Sequence, residues 1–279
     1  MTETSSSGVP AVSAIQTWET HDVRSSDGTT IVYRLVGRGL PLVIVHGGAN
    51  TARDYGKLAA ALADRFAVHL VERRNYGFSG ASGSPHSFDQ ESADVAAVIR
   101  ATGAPADVFG HSAGALVSLH AAREYPELVR RLALYEPPLS AAGAHILETL
   151  DRQKKLIAQG QILDALVLGY VALLGMDADV ARQRLALKSA TLDELARQTV
   201  NDVEAWAALD PDATRWRSLT MPTLLLRGTE SVEHPLRDSI DRLHDALPNS
   251  SVEELLGQDH VAHILAPEMV ASSLRAFFL

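Results

Sequence analysis

Asp107-Val108-Phe109-Gly110-His111-Ser112-Ala113-Gly114 is the passage on which this chain turns. A short apolar run ends there in Gly-x-Ser-x-Gly, and a helical pattern follows from Ala115 through Arg123. A serine pinned between a strand and a helix takes a strained backbone conformation, and glycines two before and two after it let the neighbouring backbone pass closely. The turn lifts the hydroxyl above the sheet. It also leaves the Ala113 N–H near a helix N-terminus, where it can donate to a developing oxyanion. Ser112 is the expected nucleophile. A plain strand-to-helix turn would not also require the His46-Gly47-Gly48 loop upstream, or an acid and a histidine downstream in the order Ser, acid, His.

With 279 residues, 46% of them hydrophobic, the chain can bury a sizeable core. A formal net charge of -9 argues against nucleic acid or an anionic membrane as partner, since both need clustered Lys and Arg. There are no cysteines, which excludes disulfides, a thiol nucleophile and thiolate metal sites. Residues 1–16 are rich in Ser and Thr, lack Lys and Arg, and hold no apolar run long enough for a signal peptide, so a disordered tail on a cytoplasmic protein is expected. The longest apolar stretch, Ala165 to Met176, is shorter than the ~20 residues that cross a bilayer.

Around the serine, strand and helix signals alternate. A Ser25-Ser26-Asp27-Gly28 turn joins two strand-like runs into a hairpin. Leu42 to Val45, Phe66 to Val71, Leu128 to Tyr135 and Thr223 to Leu226 are apolar runs of the kind buried on both faces of a parallel sheet, and Val252 to Leu256 reads as the last strand. Helical spacing over 51–62, 87–99, 234–247 and 267–278 fills the intervals. From Leu139 to about Arg217 the strand signal vanishes and four helical patterns follow. The division expected is an α/β core over 17–138 and 218–279 with a helical cap at 139–217. The run from Leu163 to Leu174 is apolar nearly all round, as in a helix covered on both sides.

At Gly110 to Gly114 and the features around it the chain resembles the serine-nucleophile α/β-hydrolase family, from about Trp18 to Leu279. The resemblance implies the α/β-hydrolase fold, a mostly parallel eight-stranded sheet flanked by helices with an inserted cap. It implies that the Gly48 N–H completes the oxyanion hole with that of Ala113. Gly257-Gln258-Asp259-His260 matches the family's Gly-x-x-His motif, which makes His260 the expected base, with His263 the nearby competitor. Arg73 and Arg74 fall in a loop resembling the family's Arg-x-x-Gly-x-Ser turn, whose roles are mostly structural, and a salt-bridged or solvated pair is expected.

The orienting carboxylate departs from the pattern. In most relatives it stands where this chain has Ser231. Glu136, at the end of the strand after the elbow helix and beside Pro137 and Pro138, resembles an alternative acid position in some haloalkane dehalogenases and lipases; Glu230 is the other candidate. Glu136 is preferred because the prolines can hold it still. The implied activity is hydrolysis of an ester, thioester or lactone of a small, mostly apolar molecule, with no metal or organic cofactor. A serine excludes the aspartyl-ester chemistry of epoxide hydrolases and dehalogenases on this fold. An acyltransferase, lyase or cyclase, and a ligand-binding protein with a vestigial triad, remain as alternatives.

Overall fold

The computed structural model describes residues 18–81, 86–187, 190–232 and 234–279. The expected tail over 1–16 lies outside them. Eight strands form one sheet: β1 (Glu19–Arg24), β2 (Thr30–Val36), β3 (Leu40–Val45), β4 (Phe66–Val71), β5 (Ala106–His111), β6 (Val129–Tyr135), β7 (Thr223–Gly228) and β8 (Ser250–Leu255), in the order β1-β2-β4-β3-β5-β6-β7-β8. The β1–β2 and β2–β4 pairings are antiparallel and the others parallel. The α/β-hydrolase fold expected from the sequence is therefore the one observed.

Period-two alternation divides the core. Val43, Val45, Val108, Leu132, Leu134 and Leu225 point to one face, while Leu42, Ile44, Phe109, Ala133, Leu224 and Leu226 point to the other. Both sets are buried, so the central strands read in sequence as unbroken apolar runs. Helices α1 (Gly56–Leu62) and α10 (Pro267–Phe278) cover the second face with Leu58, Leu62, Val270 and Leu274. Helices α2 (Phe88–Ala101), α3 (Ala113–Glu124) and α8 (His234–Ala246) cover the first. Helix α2 starts at a capping box, in which the Ser87 side chain accepts from the Gln90 N–H and Gln90 answers to the Ser87 N–H. Here α3 begins at Ala113, two residues before the periodic signal, because Ser112 itself is its N-cap.

Between β6 and β7 come four helices, α4 (Leu147–Ala158), α5 (Ile162–Leu174), α6 (Ala178–Ala186) and α7 (Leu192–Ala208). Helix α5 is not covered on both sides as its composition suggested. Leu166, Gly169, Leu173 and Leu174 are buried, but Leu163 and Val171 each remain 38% exposed. No helix among the described residues is long and apolar enough to cross a membrane. A ninth helix, α9 (Ala262–Leu265), leads into α10.

Two glycines test this packing in opposite directions. A Cβ at Gly114 would lie 2.3 Å from Val45 O and 2.4 Å from His46 O, both backbone atoms. Gly114→Ala is expected to destabilise by about 3 kcal/mol, since neither carbonyl can yield alone. A Cβ at Gly56, in the first turn of α1, would meet only Trp18 Cζ2 at 3.9 Å. Gly56→Ala is expected to stabilise by about 0.5 kcal/mol through helix propensity. Urea midpoints of the two variants read both values.

Candidate active site

The carboxyl ends of β5, β6 and β8 deliver the expected catalytic residues to one place. Ser112 follows β5 with φ 53° and ψ −123°, a conformation costing about 1–3 kcal/mol that persists only where the surroundings enforce it. Its N–H donates to Tyr135 O at 2.9 Å, and its carbonyl accepts the first helical bond from Ala115 at 2.9 Å. The flanking glycines are steric necessities: a Cβ at Gly110 would sit 2.4 Å from Ser118 Oγ and 2.6 Å from Gly114 O.

Glu136 follows β6 directly and is fully buried, with φ 47°. Its Oε2 accepts from His260 Nδ1 at 2.6 Å and its Oε1 from the Gly228 N–H at 2.7 Å. The carboxylate thus has a partner on each oxygen, one of them the imidazole it faces. With Nδ1–H donating there, Nε2 of His260 is left to act toward the cavity it shares with Ser112. No Ser112–His260 hydrogen bond forms among the described residues, and in empty sites such bonds commonly tighten only around substrate. Glu230 is exposed, and nothing among the described residues pairs it with His260. Ser231 is fully buried and its Oγ has no partner.

The serine opens on a narrow cavity of about 60 Å³. Its floor holds Gly48, Ala49, Ser112 and His260; its roof is built by Leu173, Leu174, Val203 and Trp206 from α5 and α7. A Cβ at Gly48 would stand 3.7 Å from that of Ala113, so the two expected oxyanion donors belong to adjacent residues. Tyr170 also lines the cavity. Burial pushes its phenol up to about 12, so it stays protonated and can donate.

A chain of hydrogen bonds behind the serine fixes this floor. The Gly47 N–H donates to Tyr55 Oη at 3.0 Å, Tyr55 Oη meets His111 Nδ1 at 2.5 Å, and His111 Nε2 lies 2.9 Å from His260 O. Because a carbonyl only accepts, His111 donates from Nε2 and takes the Tyr55 proton at Nδ1. The chain therefore ties the Gly47–Gly48 loop to the backbone of the expected base. His263 is buried in α9, its ring stacked 4.4 Å from that of Tyr55, and it does not line the cavity. His46 is structural: Nδ1 bonds Gly47 O at 2.9 Å and Nε2 accepts from the Arg73 N–H at 3.2 Å.

Arg73 and Arg74 are salt-bridged, as expected. Arg74 pairs with Asp94 at 2.6 Å and Asp27 at 2.9 Å. Arg73 is shared by two buried carboxylates, Glu91 at 2.6 Å and Asp202 at 2.7 Å. Asp202 sits on α7, so this pair joins the helices after β6 to the core. Burial opposes the Glu91 charge, but Arg73 and His86 outweigh it and hold the carboxyl well below its usual range. His86, Glu91 and Asp202 bring potential ligand atoms within 4.8 Å of one another, yet Arg73 already bonds both carboxylates. Sequence reading missed Asp202, Tyr55 and His111. The signal for Asp202 was present: it falls on the stripe Leu195, Gln198, Asp202, Trp206 that α7 buries, where a carboxylate needs a partner.

Comparison with known proteins places this architecture. Residues 42–273 match the alpha/beta hydrolase family, and the chain belongs to it. Among curated relatives it is 25% identical to 2-(acetamidomethylene)succinate hydrolase of Mesorhizobium japonicum, over 89% of this chain and 91% of that one. It is 26% identical to pyrrolizixenacetamide deacetylase of Xenorhabdus hominickii, over 89% and 94%. A solved alpha/beta hydrolase from Sphaerobacter thermophilus superposes with a TM-score of 0.79 at 30% identity, covering 93% of this chain and all of that one. These likenesses support a hydrolytic enzyme.

Removing the guanidinium has a calculable consequence. Arg73→Gln leaves Glu91 and Asp202 buried without their cation, so a loss of about 3–5 kcal/mol is expected at pH 7. In the wild type the depressed Glu91 contributes stability above its unfolded value near 4.5, and this is lost as pH falls toward the folded one. In the variant the uncompensated carboxyls are relieved by protonation instead. The gap in urea midpoint between the two proteins should therefore narrow as pH drops below about 4.5.

Proposed function

We propose that the protein hydrolyses an ester, thioester or lactone of a small, mostly apolar molecule through an acyl-enzyme on Ser112. The observation that carries this reading is the 2.6 Å bond between His260 Nδ1 and the buried Glu136 carboxylate, at a cavity that also holds the strained Ser112. A lone serine hydroxyl is a poor nucleophile at neutral pH, and an imidazole held in one tautomer is what activates it. Ser112 Oγ attacks the carbonyl carbon and passes its proton to His260 Nε2. The imidazolium is stabilised by Glu136, and the N–H groups of Gly48 and Ala113 receive the oxyanion. Collapse expels the leaving group, which takes the proton back from His260, and water repeats the sequence to free the acid.

The narrow cavity favours a short acyl group, and its wall of Leu173, Leu174, Val203 and Trp206 favours an apolar one. Two curated relatives have an acetamide-bearing compound in their names, a hydrolase and a deacetylase, which makes a small amide the second substrate reading. We place the protein in the cytoplasm, acting on a small molecule without metal or organic cofactor.

Turnover of 4-nitrophenyl acetate and 4-nitroacetanilide distinguishes the two bonds. Ser112→Ala should fall to background. Glu136→Gln should lose about 10⁴-fold in kcat, the scale seen when a triad carboxylate is neutralised. Glu230→Gln should stay within about twofold, as an exposed side chain with no bond to the imidazole among the described residues. Ser231→Asp in the Glu136→Gln background should recover part of the loss, since it restores a carboxylate where most of the family carries one. Equal losses from the two Gln variants would remove Glu136 from the mechanism.

A further inference from the structure

Among the described residues that line the cavity Asp202 is the one carboxylate, and it stands against the Gly47–Gly48 loop. Its Oδ2 lies 2.7 Å from where a Cβ on Gly48 would be. That contact explains why position 48 is glycine although its backbone shows no left-handed φ. The carboxylate is held rigidly: Arg73 Nη2 donates to Oδ1 at 2.7 Å, Arg73 Nη1 to Oδ2 at 3.3 Å, and Tyr76 Oη to Oδ2 at 2.6 Å. Three of about four lone-pair sites are thus filled from behind, which leaves one acceptor position.

Asp202 does not have its cation to itself. Arg73 is also bound by Glu91 through Nε and Nη2, both at 2.6 Å, so one guanidinium serves two carboxylates. His86 Nε2 lies 2.9 Å from Glu91 Oε1, and Asn75 Nδ2 lies 3.4 Å from His86 Nδ1. Arg184, the other buried cation nearby, pairs with Asp259 at 3.0 Å and is not part of the cavity lining. An acyl group entering beside Ser112 therefore meets an apolar wall, a phenol donor from Tyr170 and one fixed negative charge.

Resting on the hydrolase reading, we propose that Asp202 sets substrate charge. It rejects acyl chains carrying a carboxylate and favours uncharged chains with an N–H or O–H that can reach its open lone pair. The physical basis is like-charge repulsion across a water-poor cavity, where a fixed anion cannot be screened as it would be in solvent. Asp202 is thereby a specificity residue: it touches the acyl group and takes no proton.

Boronic acids that add to Ser112 test this without substrate autohydrolysis. Inhibition of 4-nitrophenyl acetate turnover is measured with 3-boronopropanamide, 3-boronopropanoic acid and 3-aminopropylboronic acid, which differ mainly in terminal charge. For wild type the carboxylate should bind at least about tenfold more weakly than both the amide and the ammonium compound. In Asp202→Asn, which keeps the volume and leaves Arg73 paired with Glu91, the carboxylate-to-amide ratio of inhibition constants should shrink about fivefold or more. Equal rejection of carboxylate and ammonium by wild type would show that apolarity alone selects, and would overturn the proposal even if the variant failed to fold. An unchanged ratio in folded Asp202→Asn would overturn it too. Absence of turnover of any ester or anilide would remove the hydrolase reading, and this inference with it.

Discussion

A buried carboxylate must be paired, and the site is arranged around how Glu136 is paired. One oxygen takes a backbone N–H from the end of β7, and the other takes the imidazole from the loop after β8. Three neighbouring strand ends are drawn together by one side chain. The cost of burying it is large if either partner is lost, which makes the arrangement unforgiving and therefore well defined. His260 is oriented as a consequence, and its carbonyl in turn receives His111 Nε2, which continues through Tyr55 to the Gly47 N–H. Glu136, His260 and the Gly47–Gly48 loop are thus one connected hydrogen-bonded unit.

Strain gathers where the unit is built. Among the described residues four non-glycine positions have positive φ: Ala49, Asn75, Ser112 and Glu136. Ala49 and Ser112 line the cavity and Glu136 holds the imidazole. Each such residue costs about 1–3 kcal/mol and is tolerated because close-packed neighbours leave no alternative. Glu136 is carried at the end of a strand whose last four residues are fully buried, and two prolines follow it. The same rigidity that makes the backbone expensive makes the carboxylate an exact fit for one tautomer of His260.

The sheet was legible because parallel strands buried on both faces leave unbroken apolar runs, and those runs carried the order of elements from β3 to β7. That Ser112, His260 and Glu136 come together was legible for a related reason: in an open sheet, candidate site residues collect at the carboxyl ends of strands, and each of these residues ends or follows one. Choosing between Glu136 and Glu230 on rigidity agrees with where the two side chains lie, one fully buried against His260 and the other exposed. What could not be read was pairing at long range. Asp202 reaches Arg73 across 129 positions and Tyr55 reaches His111 across 56, and no local pattern encodes such contacts. The outer face of α5 was misjudged for a different reason, since composition does not say whether Leu163 and Val171 meet protein or solvent.

Ser231 ends up fully buried after β7, close in sequence to the Gly228 N–H that holds Glu136, with its hydroxyl unused. The Gly228 N–H just before it now steadies the carboxylate of the neighbouring strand. The tips of β6 and β7 are thereby tied to each other through one backbone N–H. With Glu136 anchored from the neighbouring strand, position 231 carries no charge that the frame depends on, and a small side chain suffices there.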